Sequence, residues 1–288
     1  IVKANAIVCK FKPDVVIGTG GYVCGPILMA AALRNIPTLI QEQNVIAGIT
    51  NKILSRFVDV VAVGYNEAAK SFDKAKQVVY TGNPVRPDVL VDSRVEGRKH
   101  FGLSDDIFTV LIAGGSRGAR TINNAMIDVH KHFQGKDGIK LIHITGNGEY
   151  TSVLEKLGIN DGSGLGESSL ILPYLHDMPK ALAATDLAVF RSGAIGLAEL
   201  AVRGIPSVLV PYPYAAEDHQ TYNARIFVQE GAAHMIVDKV LTSHDLIGEI
   251  EMFMANRELL AQMGASALHL GKPNAAHDIA ELALSIAK

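Results

Sequence analysis

Short apolar runs rich in β-branched residues alternate with helix-like stretches along nearly the whole chain, and half of the runs end in glycine. DVVIGTG (14–20), PTLIQEQ (37–43), DVVAVG (59–64) and VVYTG (78–82) form a first group. FTVLIAGG (108–115), KLIHITG (140–146), SLILPYL (169–175), LAVFRS (187–192), PSVLVPY (206–212) and AHMIV (233–237) form a second. Strands covered by helices on both faces lose the in–out alternation of exposed sheets, so unbroken apolar runs of this length predict parallel sheets. The chain is therefore expected to be α/β, with two doubly wound parallel sheets. A first domain over 1–90 is followed by a polar, charged linker over 91–106, a second domain over 107–272 and a final helix over 273–288. Ligands of such sheets bind at the carboxyl ends of the strands, and two domains of this kind leave a cleft between them.

The 288 residues are 48% hydrophobic and 19% charged, a composition that fills two cores and excludes disorder. A formal net charge of -2 gives no footprint for a nucleic-acid partner. The two cysteines, Cys9 and Cys24, form no CxxC pair and no disulfide framework, which fits a reducing compartment. No apolar run reaches the ~20 residues that span a bilayer. The chain opens on IVKANAIVCKFKPD, which reads as the second half of an amphipathic helix. The first domain is therefore expected to be incomplete at its N-terminus, its first βα unit lying upstream of Ile1.

Three glycine-containing segments lie where a strand hands over to a helix: GTGGYVCGP (18–26), GGSRGAR (114–120) and RSGAIGLAEL (191–200). Backbone amides and the helix dipole favour phosphate at such a place. None has the Walker A spacing, and none is a GxGxxG with an acid about 20 residues on, so ATP and NAD are disfavoured. Ser116 follows Gly114 and Gly115 directly after a strand, and Glu199 stands on the helix that Gly193 and Ala194 open. That acid is either a solvated helix residue or the acceptor of two ribose hydroxyls. The segment Glu217–Asn223 (EDHQTYN) is dense in donors and acceptors of the kind that recognise sugar hydroxyls. The ten histidines show no HExxH or similar metal-ligand spacing.

Taken in order, GTGGYVCGP, QEQNVIAGITN, TGNPVRPDV, GGSRGAR, LPYLHDMPKALAATDLAVFRSGA, LAELAVRGIPSVLVPYP and EDHQTYNA resemble the MurG family of glycosyltransferases across nearly the whole chain. The resemblance implies a GT-B arrangement, two Rossmann-like domains facing a cleft. It also implies inverting transfer of GlcNAc from UDP-GlcNAc to the C4 hydroxyl of undecaprenyl-pyrophosphoryl-MurNAc-pentapeptide, at the cytoplasmic face of the bacterial membrane. By the same resemblance, Leu175 and Met178 lie by the uracil and Glu199 holds the ribose. Ser116, Arg86 and the amides of Ala194, Ile195 and Gly196 approach the diphosphate. His219 and Gln220 meet the GlcNAc hydroxyls, Asn223 supports their loop, and Asn44 reaches toward the transferred sugar. The family's favoured base, a histidine, lies upstream of Ile1, leaving Asn44 and Glu42 as candidate contributors to catalysis. No cofactor is expected, and Mg²⁺ would be at most a non-essential stimulator.

Two positions depart from the family pattern: Gln41 replaces the histidine of HEQN, and Gly196 replaces a common threonine. Other readings stay open, namely another UDP-sugar enzyme of the GT-B class such as a UDP-GlcNAc 2-epimerase, or a non-catalytic UDP-sugar-binding fragment. A lipid-linked acceptor calls for a peripheral contact with an anionic membrane surface. Lys3, Lys10 and Lys12 beside Ile7, Val8 and Phe11, and Lys52 and Arg56 beside Ile53, Leu54 and Phe57, mix cations with apolar groups as interfacial helices do. An ordinary packing helix with solvated lysines has the same pattern.

Overall fold

Each of the ten expected apolar runs contains a strand in the computed structural model, which describes residues 2–115 and 118–288. The chain divides into two compact units. One takes the chain to Val85 together with Ala215–Tyr222 and Lys272–Lys288, and the other takes Arg86–Tyr214 and Asn223–Gly271.

The first unit carries β1 (Val16–Gly18), β2 (Thr38–Glu42), β3 (Val60–Val63) and β4 (Val78–Tyr80), all parallel and in sequential order. Every residue of β2 and β3 is buried, and β3 (VVAV) is accordingly apolar throughout, whereas β2 (TLIQE) ends on Gln41 and Glu42, which find their partners inside the unit. Leu28 of the helix Cys24–Ala32 packs with Ile40, Val61 and Val63. A separate cluster joins Leu39, Val60 and Ala62 to Ile279, Leu282 and Ala283 of the helix Ala275–Ile286.

The second unit carries β5 (Phe108–Ala113), β6 (Ile139–Ile144), β7 (Ser169–Leu172), β8 (Leu187–Phe190), β9 (Ser207–Leu209) and β10 (Ala233–Met235). All are parallel, in the order β10-β9-β8-β5-β6-β7. The chain builds outward from β5 to β7, returns to the other side of β5 with β8, and builds outward again. The order reverses between β5 and β8, where doubly wound sheets bind their ligands. Ala113 pairs with Phe190, so the two strands end level there. Val110 and Ile112 pack with Met126, Val129 and Phe133 of the helix Arg120–Phe133, and with Leu246, Ile250 and Phe253 of the helix Ser243–Ala255.

The linker expected over 91–106 is not one. Pro87–Val91 and Arg94–His100 are helices of the second unit. The latter opens with a capping box, in which Ser93 Oγ accepts from Glu96 N at 3.2 Å and the Glu96 carboxylate accepts from Ser93 N at 3.0 Å. Arg98 is 2% exposed, donates to the Ala184 and Ile107 carbonyls and faces Asp186 at 3.5 Å. Part of the charge in this stretch thus anchors the helix, and the unit boundary falls at Val85 rather than residue 90. Ala215–Tyr222, expected within the second domain, belongs to the first unit, where Glu217 meets Lys52 Nζ at 3.2 Å.

Candidate functional site

In the second unit, the carboxyl end of β8 is clamped before the next helix begins. Arg191 Nη1 lies 2.5 Å from Asp238 Oδ2 and 3.0 Å from the carbonyls of Val210 and Pro211. Asp238 Oδ1 accepts from Thr121 Oγ1 at 3.1 Å. Buried Asn223 donates from Nδ2 to the Ser192 carbonyl at 3.2 Å. The turn so held delivers the helix Ala194–Arg203, whose N-cap is Gly193, a residue with no side chain to cap the first turn. The amides of Ala194, Ile195 and Gly196 therefore have no partner within the helix and carry the positive end of its dipole. Ala194 is buried, Gly196 half-buried and Ile195 exposed. A Cβ on Gly196 would meet the ring of Phe190 at 3.8 Å, an ordinary contact. Gly196→Ala should therefore stabilise the protein by about 0.5–1 kcal/mol, the difference in helix propensity, read as a raised urea midpoint. A lowered midpoint would show that this turn needs glycine.

Glu199 sits farther along the same helix, 8% exposed, and its Oε1 accepts from Arg86 Nε at 3.0 Å. Arg86, expected at the diphosphate, thus spends its Nε on the acid expected at the ribose. Leu175 and Met178, both half-buried, follow the end of β7, and Met178 opens the helix Met178–Ala184. Asn223, expected to support the sugar loop, donates to the turn before Ala194. Ser116 lies outside the described residues.

In the first unit, the segment after β2 is organised by Glu42, 2% exposed. Its Oε1 accepts from Asn44 N at 2.9 Å and Asn44 Nδ2 at 3.4 Å, and its Oε2 from Gly48 N at 3.0 Å and Asn51 Nδ2 at 2.8 Å. Proposed from the sequence as a contributor to catalysis, this carboxylate serves as the loop's internal anchor. Buried Gln41 donates to Asn83 Oδ1 at 3.0 Å and accepts from Gln43 Nε2, while Asn83 Nδ2 donates to the Gln43 carbonyl at 2.9 Å. A cavity of about 340 Å³ opens here, lined among others by Gly20, Glu42, Asn44, Asn51, Glu217 and His219. His219 Nδ1 lies 2.8 Å from the Ala216 carbonyl, so the neutral ring carries its proton there and presents Nε2 as an acceptor. Gln220 follows it in the helix His219–Gln229. The site residues are thus shared out: Glu42, Asn44, His219 and Gln220 in the first unit, and Arg86, Leu175, Met178, Ala194, Ile195, Gly196, Glu199 and Asn223 in the second. Among the described residues no cluster of three or more histidine, cysteine or carboxylate side chains is arranged to hold a metal ion.

Sequence reasoning missed Arg191, Thr121 and Asp238, which meet from three parts of the chain with no local motif. The signal for Arg191 was its place between an apolar strand and a glycine, where a long cation can reach neighbouring strand ends.

Comparison with known proteins places the chain in a family. Residues 109–282 match the model of the glycosyltransferase family 28 C-terminal domain, and residues 1–63 that of the glycosyltransferase family 28 N-terminal domain. The UDP-N-acetylglucosamine--N-acetylmuramyl-(pentapeptide) pyrophosphoryl-undecaprenol N-acetylglucosamine transferase of Desulforamulus reducens is 46% identical over 278 residues, 96% of this chain and 75% of that protein. The protein of the same name from Thermoanaerobacter sp. is 45% identical, over 99% of this chain and 77% of its own length. Among solved structures, MurG of Acinetobacter baumannii matches with a TM-score of 0.77 and 31% identity, over 98% of this chain and 77% of that one. The UDP-GlcNAc 2-epimerase of Neisseria meningitidis, solved with UDP-GlcNAc bound, matches with a TM-score of 0.68 over 99% of this chain and 80% of that one. At 15% identity, that second likeness is one of fold alone. The two α/β units are those of the GT-B fold class, and the chain belongs to glycosyltransferase family 28.

Proposed function

We propose that the chain transfers GlcNAc from UDP-GlcNAc to the C4 hydroxyl of the muramoyl residue in undecaprenyl-pyrophosphoryl-MurNAc-pentapeptide, with inversion at the anomeric carbon. The observation that carries this is identity of 43–46% along nearly the whole chain to transferases bearing that name. The C4 oxygen attacks the anomeric carbon, the bond from that carbon to the β-phosphate oxygen breaks, and UDP leaves as the hydroxyl proton passes to a base. Negative charge grows on the departing diphosphate. The uncapped amides of Ala194, Ile195 and Gly196 are placed to meet it, fixed in advance by the Arg191 clamp, and such preorganised donors lower the barrier most when charge is developing. Glu199 keeps Oε2 for the ribose while Arg86 neutralises the carboxylate, and Arg86, half-exposed, has its remaining N–H groups for phosphate oxygens. Leu175 and Met178 take the base, His219 and Gln220 the sugar hydroxyls. Asn44, oriented by Glu42, offers its amide to the sugar being transferred.

Given both substrates, the protein should place radiolabelled GlcNAc in the lipid fraction as a disaccharide. UDP release and formation of an epimerised free sugar without the acceptor would instead make it an epimerase.

The lipid acceptor brings the first unit to a membrane, and its surface suits an anionic one. The helix Val2–Phe11 exposes Val2, Ile7 and Phe11 among Lys3, Lys10 and the following Lys12, and Ile49, Ile53 and Phe57 stand out near Lys52 and Arg56. No helix among the described residues is long and apolar enough to cross a membrane. Phe11 is 78% exposed, so Phe11→Ser removes apolar surface without touching the core. It should weaken co-sedimentation with phosphatidylglycerol vesicles about tenfold. Binding that stays as strong would take this helix off the membrane.

A further inference from the structure

Behind the strand ends of the second unit a line of polar side chains runs through a buried region, and none of its members is among the residues assigned above to either substrate. Helix Arg120–Phe133 turns Asn123 and His130 inward on the same stripe as Met126, Val129 and Phe133, while β6 contributes His143 and β7 Ser169. All four polar groups are 0–1% exposed. The distances fix one arrangement of protons. Asn123 Nδ2 lies 2.9 Å from the Thr145 carbonyl, which can only accept, so Asn123 Oδ1 is the end that accepts from His143 Nε2 at 3.0 Å. A neutral His143 protonated on Nε2 accepts at Nδ1, so His130 Nε2, 3.1 Å away, donates. His130 Nδ1 then accepts the Ser169 hydroxyl proton at 2.9 Å. Every donor finds an acceptor, with both rings kept neutral by burial.

The far end of this line bears on the switch point. The Thr145 carbonyl is the surface on which Gly118 rests: a Cβ on Gly118 would lie 2.0 Å from that oxygen, and its φ of +75° suits glycine alone. Gly118 leads through Ala119 into helix Arg120–Phe133, and the Ala119 carbonyl accepts from Asn123 N at 2.8 Å. Asn123 therefore grips both sides of the contact, Ala119 through its backbone and Thr145 through its side chain.

We propose that Asn123, oriented by His143 and His130, is a positioning residue for the diphosphate end of the donor site, because it fixes the start of helix Arg120–Phe133 against the end of β6. The proposal rests on the donor reading given above. The test compares the full chain with Asn123→Ser, His143→Leu and His143→Gln, measuring UDP affinity by calorimetry and KM for each substrate. Asn123→Ser and His143→Leu should weaken UDP binding and raise the donor KM about tenfold, with the acceptor KM unchanged. His143→Gln, whose amide can accept from His130 and donate to Asn123, should stay within about twofold of the parent. Should His143→Leu fail to fold, Asn123→Ser decides. Folded variants that bind UDP like the parent, with only a lower unfolding midpoint, would overturn the proposal while leaving the donor site intact. A parent chain that does not bind UDP would overturn the donor reading itself.

Discussion

Asp238→Ala is expected to cost about 3–5 kcal/mol of unfolding free energy, because it leaves Arg191 charged and largely buried without its carboxylate. Both side chains of the pair are about a tenth exposed, 10% and 11%, so water cannot replace the missing partner. The loss is large against the ~5–15 kcal/mol that holds a typical domain together. Carbonyl contacts from Val210 and Pro211 soften the effect but do not neutralise the cation. Urea unfolding followed by circular dichroism measures it. The double variant Arg191→Met/Asp238→Leu should lose less than Asp238→Ala alone, since removing both charges also removes their desolvation cost. Additive losses would mean that the pair is not acting as a unit, and the clamp on the turn before Ala194 would then lie elsewhere.

The second large effect is acid lability of the second unit. Desolvation pushes His130 from the ordinary 6.5 down to about 4. Desolvation, with the neighbouring His130 ring adding to it, holds His143 well below 6.5. In the unfolded chain both rings take up a proton near 6.5, so between that value and about 4 the unfolded state binds more protons than the folded one. Stability from this pair is therefore complete above about pH 6.5 and drains away as the pH falls toward 4. Each ring that stays neutral in the folded state costs up to ~1.4 kcal/mol per pH unit below about 6.5, so the two act together on the same side of neutrality. Carboxylates such as Asp245, held below its usual range by hydrogen bonds from Thr242, act at more acid pH and leave this window to the histidines. Urea midpoints at pH 7.5, 6 and 5 should fall steeply in the parent chain and less steeply in His143→Gln, which carries one titrating ring fewer. Equal slopes would mean that His143 is protonated in the folded state.

Much of this molecule can be read from its residues, but unevenly. The strands were legible because parallel strands buried on both faces have no polar alternation to blur them, as in LAVF before Arg191 or FTVLIA before Gly114. The helix Arg94–His100 was hidden by its own charges, although Ser93 and Glu96 at capping-box spacing marked its start. The pairing of Arg86 with Glu199 could not be read, since 113 residues separate them and only the fold brings them together. The buried histidine line left a fainter trace. Asn123 and His130 fall on the apolar stripe of an amphipathic helix, and polar residues on such a stripe must find partners inside. Nothing local, however, says that the partners are His143, Ser169 and the Thr145 carbonyl. Glu42 shows the converse: its place in QEQN suggests chemistry, yet four donors from one short segment occupy it.

In the proposed function the second unit holds UDP-GlcNAc with Glu199 on the ribose and the start of helix Ala194–Arg203 on the diphosphate. Calorimetric titration of UDP into the parent chain and Glu199→Ala tests it most directly. The parent should bind, and the variant should bind more weakly by about 1–3 kcal/mol, the cost of losing a buried acceptor. Indistinguishable affinities for the two proteins would contradict the claim.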